Sequence, residues 1–332
     1  MLSTVILACG GAAQMPVTPQ ATTAAVTPTT TTVAAVTSPE SVLDQGLPRS
    51  SSYSFIDVTV NEAVFASVEP RTYLRDERAA GARHLFLEIT LDNTSDADVA
   101  NWPPNPFALQ LGNEFLGPPE IVEGRPNIGL TQLATTEMVL AFAVPDDAGF
   151  EDASLVVAQP DRVPMILPLT GEIAELGYPM TVPISGEGPA QSVGVGCRQS
   201  LEVEVLGGNV AIDLLGTDYP TTYGARRAKV GERFLSLGLR VLNNGGSRCG
   251  AGGTNFGNHD VRLHIDEVPR EPITWVNTAI GLDVAEDLSF DFAYPIDATA
   301  LTLTVGSEEA TLFTIPVPVP RTPPLPGEIL QQ

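Results

Sequence analysis

The chain has 332 residues, enough for two ordinary domains that each bury a core, and its 43% hydrophobic content is too high for a disordered protein. Forty acids stand against 17 bases, Lys229 being the one lysine, and the net charge of −23 repels nucleic acid and anionic lipid, whose phosphates need Lys and Arg. Residues 51–171 carry 18 acids and 6 bases and residues 195–320 carry 16 and 9, so the acidity is spread along the chain and suits solubility outside a cell.

Residues 1–9 form a short apolar run ending in a small residue and Cys9. The run resembles the end of a bacterial lipoprotein signal peptide, in which such a cysteine carries the lipid. It is too short to span a bilayer, no charged segment precedes it, and Leu7 stands where a small residue is usual. The plainer alternative is a chance cysteine in a leader. Residues 10–50 are dominated by Thr, Ala, Pro and Val without hydrophobic period. They read as a disordered, extended stalk, with O-glycosylation as the alternative.

The first folded unit is expected over 51–171. Ile56, Val58 and Val60 alternate with polar residues and open it. A charged loop or hairpin crossing precedes Leu85, Leu87, Ile89 and Leu91, whose period of two marks a half-buried strand ending at a turn-forming Asn93. Phe107, Leu109 and Leu111 form a further strand, residues 118–133 read as irregular, and Met138, Leu140, Phe142 and Val144 alternate up to Pro145. Leu155 and Val157, then 163–169, close the unit as a hairpin.

Residues 172–194 are a Gly-, Pro- and Glu-rich joint, and the plan then repeats over 195–320. Leu201, Val203 and Val205 match the opening strand; Leu235, Leu237, Leu239 and Val241, ending at Asn243, match the central one. An Arg-rich loop, 226–229, precedes this copy too. Val261, Leu263 and Ile265, then Leu288, Phe290, Phe292 and Tyr294, continue the match, and Leu303 and Val305, then 312–317, complete it as the closing hairpin, at offsets near 150, as a duplication predicts. Residues 321–332 form a Pro-rich tail expected to be loose. Turn signals roughly every ten residues, with no helical period between them, define the fold class as all-β: two tandem immunoglobulin-like sandwiches after a disordered Thr/Pro-rich stalk.

A signal-type cysteine, a Thr/Pro stalk, an apolar strand running into Asn93-Thr94-Ser95 or Asn243-Asn244, and the Leu140-Ala141-Phe142-Ala143-Val144-Pro145 pattern resemble a known group. These are the bacterial surface lipoproteins with tandem telokin-like, immunoglobulin-like domains of unknown function. Tyr294 departs from that pattern, as does the Cys- and Gly-rich loop around Cys249. The resemblance implies an immunoglobulin-like fold outside the cytoplasm and no particular reaction.

Cys197 and Cys249 are the cysteines of the folded part. In an exported protein an even pair reads as a disulfide, contributing roughly 4 kcal/mol in the chain-entropy model; free thiols and a metal site are the alternatives. His84, His259 and His264 assemble no metal site by spacing and read as edge or surface residues. No G-x-S-x-G elbow is present. The acid pairs at 146–147, 151–152, 266–267 and 286–287 read as solvated turn residues. Trp102 and Trp275, each near proline, are candidate ligand-contact loop residues, with plugging of a sandwich end as the alternative. The expectation is a non-enzymatic binding or structural module, adhesive or carbohydrate-binding, on a lipid-anchored stalk at the bacterial surface. It would need no cofactor or metal, would meet a protein or glycan partner, and would touch the membrane through its anchor alone. The competing class is an accessory subunit or hydrolase with a loop-built site.

Overall fold

The computed structural model describes residues 41–43, 46–66, 83–98, 105–124, 130–173, 180–182, 184, 201–218, 222–243, 254–307, 310–325 and 328. Thr37–Gln332 forms one compact unit. In its first half the strands are β1 (Ser41–Val42), β2 (Arg49–Tyr53), β3 (Ile56–Ala66), β4 (Arg83–Asn93), β5 (Phe107–Leu111), β6 (Glu114–Leu116), β7 (Glu120–Glu123), β8 (Thr135–Val144), β9 (Ala153–Val157) and β10 (Met165–Pro168). One antiparallel sheet runs β1-β3-β4-β8-β7, with β2 also on β3, and a second runs β10-β9-β5-β6.

The second half holds β11 (Met180–Val182), β12 (Leu201–Ala211), β13 (Asp213–Asp218), β14 (Thr222–Arg227), β15 (Glu232–Asn243), β16 (Thr254–Gly257), β17 (Val261–Ile265), β18 (Val268–Arg270), β19 (Asn277–Ile280), β20 (Ala285–Pro295), β21 (Leu301–Ser307) and β22 (Ala310–Val317). Its sheets run β11-β12-β15-β20 and β18-β17-β21-β22, with separate pairs β13-β14 and β16-β19. The order β3-β4-β8 recurs as β12-β15-β20, and β10-β9-β5-β6 recurs as β22-β21-β17-β18. Even a bulge repeats, after Val60 in β3 and after Val205 in β12, where Gly207 takes φ 135°. The all-β sandwich architecture expected from the sequence is therefore present twice.

β4 and β15 sit between two neighbours in their sheets because their apolar period of two can be buried in full. Leu85, Leu87, Ile89 and Leu91 are 0% exposed, as are Leu235, Leu237, Leu239 and Val241. Their facing partners come from the second sheet of each half: Leu109, Leu155 and Leu167 in one core, Leu263, Leu303 and Ile315 in the other. That interleaving makes each half a sandwich with its own hydrophobic interior.

The asparagine that closes each central strand is more than a turn former. Asn93 is fully buried, and its Nδ2 donates to the carbonyls of Ala97, Leu130 and Thr131. Its Oδ1 accepts from the N–H and hydroxyl of Ser95. Asn243 repeats the central contact, donating Nδ2 to the carbonyl of Ile280 at 3.0 Å. Each asparagine also gives its backbone N–H to the residue just before the next sheet strand, Ala134 or Val284. One amide thus ties a strand end to the segment that must return beside it.

Several boundaries differ from the sequence reading. β1 and the start of β2 fall inside the expected stalk, and β11 falls inside the expected joint. The stretch taken as irregular contains β7, whose Glu-Ile-Val-Glu is too short to show a period. The Arg-rich segment before β15 is the end of the β13–β14 hairpin. The tail is pinned where it was expected to be loose, since Thr322, Leu325 and Glu328 are buried.

Replacing Asn93 with Ala strands the buried carbonyls of Ala97 and Leu130 and frees that of Thr131. The expected loss is about 2 kcal/mol of unfolding free energy, read from urea denaturation. Asn243→Ala is expected to destabilise in the same direction. An unchanged midpoint for Asn93→Ala would show that the loop holds without the amide.

Candidate functional site

Two buried arginines organise the region where the halves meet. Arg227 closes β14 directly across from Asp213, the first residue of β13. Its side chain is 0% exposed, and Nη1 donates to Asp213 Oδ2 at 2.8 Å. Nε donates to the carbonyl of Val163, which belongs to the first sandwich. The guanidinium carbon lies 4.4 Å from the ring centroid of Tyr53, also from the first sandwich, a cation–π distance. The Ser54 hydroxyl reaches Asp213 Oδ1 at 3.4 Å from the β2–β3 turn, where Ser54 and Phe55 both take positive φ as a tight hairpin turn requires.

Backbone pairing backs up this charge cluster. Val163 N–H donates to the Ala228 carbonyl and Val230 N–H to the Asp161 carbonyl, both at 3.0 Å. Arg162 and Lys229 form the bridge between them, and Arg162 Nη1 donates to the Arg227 carbonyl at 2.7 Å. Apolar packing crosses the same seam: Val163 clusters with Ile212, Leu214, Ala228, Phe234 and Leu325. Ala225 of the hairpin joins the first sandwich's own core.

The second arginine, Arg233, opens onto the tail. Nη1 and Nη2 donate to the two oxygens of Glu328 at 2.8 and 2.7 Å, a bidentate pair, and Nη2 also reaches the Pro323 carbonyl. Glu328 further accepts from the N–H groups of Gly231 and Leu325. Both side chains are withdrawn from solvent, 0% and 2% exposed.

These environments push titrations in opposite directions. Burial raises Tyr53 to about 12, with the Arg227 charge opposing. Burial likewise raises the Asp213 carboxyl against the pull of Arg227 and Ser54, although a fifth of that side chain still meets water. Burial also works against the Glu328 carboxylate, but Arg233 and the two backbone donors more than offset it and hold the group below its ordinary value. The arrangement is that of an ionic lock: Nε and Nη1 of Arg227 and both terminal nitrogens of Arg233 hold segments together, while Arg227 Nη2 meets no hydrogen-bond acceptor among the described residues.

The residues singled out from sequence are distributed differently. Cys9, Trp102, Cys197 and Cys249 lie outside the described residues. Trp275 precedes β19 and is 43% exposed, as a ligand-contact residue would need. His84 is a correction: it sits on the central strand, 9% exposed, with its ring 6.0 Å from that of Phe86. His259 lies 3.2 Å from Asp260, and His264 lies 3.1 Å from the Thr304 hydroxyl. Among the described residues no three His, Cys, Asp or Glu gather as a metal site. Of the acid pairs, Asp266 caps a turn by accepting from Thr299 and Ala300, and Asp287 pairs with Arg240. Sequence reasoning missed the joint, because its members are separated by long stretches of chain.

No family model, curated protein or solved structure matches the chain.

Truncating Glu328 leaves Arg233 buried and uncompensated. Glu328→Ala is expected to cost about 3 kcal/mol, read by chemical denaturation at neutral pH. Because the folded carboxyl titrates below its ordinary value, this contribution is complete above that value and fades as pH falls through the folded one. Asp213 has the opposite sign: its raised value favours the fold at low pH, and that contribution declines as pH rises through it. The stability gap between wild type and Glu328→Ala should therefore close in acid. A gap constant with pH would refute the charge assignment.

Proposed function

We propose that this chain is a non-enzymatic, extracytoplasmic binding or structural module. Its two immunoglobulin-like sandwiches act as one stiff body on a lipid-anchored stalk. The observation that carries this reading is the joint: a 0%-exposed Arg227 that binds Asp213, the Val163 carbonyl and the Tyr53 ring together. A buried charge whose Val163 and Tyr53 partners lie in the other half resists hinge motion, because opening removes those contacts and leaves Asp213 alone to hold it. Enzymes often need moving parts at a cleft, whereas a spacer or display module needs a fixed separation between its ends. In this reading Cys9 carries the lipid, Cys197 and Cys249 close a disulfide, and a protein or glycan meets exposed loop side chains such as Trp275. The net charge of −23 suits that setting, keeping the module soluble and away from anionic surfaces.

Small-angle scattering and amide relaxation on the full chain test the stiffness. Wild type is expected to give one tumbling time for both sandwiches, and Arg227→Ala two faster ones. Independent tumbling in wild type would rule out the rigid-module reading. The setting is tested by intact mass of the membrane-fraction protein, where a chain beginning at a lipid-bearing Cys9 is expected. An unmodified Cys9 would remove the anchor from the proposal.

A further inference from the structure

The two sandwiches finish their principal sheets differently. In the first, β7 lies along β8 and pairs with it at Val139 and Ala141. In the second, β18 pairs with β17 and β19 with β16, so neither covers β20. Among the described residues one backbone hydrogen bond reaches its outer edge, from Ile273 N–H to the Asp291 carbonyl at 2.7 Å. That bond also fixes orientation: odd-numbered residues of β20 turn their backbone groups away from β15. The Val284 carbonyl, bonded to Asn243 N–H, has the inward parity. Ala285, Asp287 and Ser289 therefore present N–H and C=O groups outward, and among the described residues no further backbone hydrogen bond is made to them.

An open strand edge is a template for another strand, and its side chains decide which strand can join. Residues 280–289 contain Asp283, Glu286 and Asp287 and no base. The facing charges are Arg240 of β15, bidentate to Asp287, and Glu204 of β12, 3.7 Å from Arg240. The local balance is acidic. Antiparallel pairing with a second copy would set acid against acid, which is unfavourable on a sheet face. Leu282 and Val284, each 41% exposed, stand at the entry to the edge and offer apolar footholds. Proline cannot donate to a ladder, yet β20 has none before its last residue, Pro295, whereas β10, β18 and β22 carry Pro168, Pro269 and Pro316.

We infer that the outer edge of β20 over residues 285–289 is a strand-addition site for an extended, basic segment of a partner protein. The segment pairs its backbone with Ala285, Asp287 and Ser289, sets Lys or Arg on the face of Asp287 within the field of Glu286, and packs an apolar residue on the other face beside Leu288. This names the partner chemistry for the binding-module reading and rests on it.

Calorimetric titration of the full chain at physiological ionic strength tests the site. The probes are a short alternating Lys/Val peptide, its Glu/Val counterpart, and a Lys/Pro peptide of equal charge that cannot form a strand. Saturable one-to-one binding of the Lys/Val peptide alone is expected. Ser289→Pro removes one outward N–H while sparing the β15 ladder, and should weaken binding about tenfold. Glu286→Lys keeps every backbone donor, so a misfolded proline variant does not decide the matter; it should transfer preference to the Glu/Val peptide. Equal binding of Lys/Pro, unchanged affinity in both variants, or no binding by any peptide would overturn the inference. Scattering from the joint reads nothing of this edge, so failure here is separable from failure of the rigid-module reading.

Discussion

Arg227 and Arg233 stand a short distance apart in the sequence, and neither exposes its side chain. Withdrawing such an ion from water costs several kcal/mol, so each can exist only where acceptors are supplied in the right geometry. Beyond the local Asp213 and Glu232, those acceptors come from remote parts of the chain. Asp213 and Val163 serve Arg227; Glu328, Glu232 and Pro323 serve Arg233. The requirement therefore dictates that the β13–β14 hairpin lies on the first sandwich and that the tail folds back beneath the second. The apolar cluster of Val163, Phe234 and Leu325 excludes water from both arginines, which strengthens each pair in turn.

The repeat makes this divergence measurable at matched positions. Arg83, the first residue of β4, lies opposite Val144 as Arg233, the second residue of β15, lies opposite Tyr294. Arg83 stacks 4.3 Å over Phe65 and spends Nη1 on the carbonyls of Asp146 and Ala148, within its own sandwich. Arg233 instead takes a carboxylate from the chain's end. One duplicated position has thus been satisfied locally in one half and used to recruit a distant segment in the other. Asn93 and Asn243, by contrast, keep the same interior role, since the return of the next strand is the same problem in both halves.

This division explains what was legible in the sequence. Leu85 to Leu91 and Leu235 to Val241 announce their strands because a period of two is a local property of the chain. Their pairing into matching sheets follows from the repeat. The joint has no such signature: Ser54 meets Asp213, Arg227 meets Val163, and Arg233 meets Glu328 across separations of 159, 64 and 95 residues. An arginine destined for burial looks the same in sequence as a solvated one. Proline richness in the tail likewise describes backbone stiffness and says nothing of Glu328, whose partner lies on another strand. The β7 strand was hidden by brevity, and His84 by its polar name on a face that Phe86 and its neighbours close.

Edge protection completes the physical account of so acidic a sandwich pair. A proline on an edge strand removes a donor whatever approaches, and β10, β18 and β22 use that device. A carboxylate acts by sign: Glu120 and Glu123 on β7, like Glu286 and Asp287 on β20, discourage other acidic strands and leave the backbone intact. In a chain with 40 acids, charge opposes pairing between copies. The same charge cannot block a basic strand. Protection by sign is therefore also selection by sign, and β20, with its backbone donors intact and its neighbours committed elsewhere, is where that selectivity has something to act on.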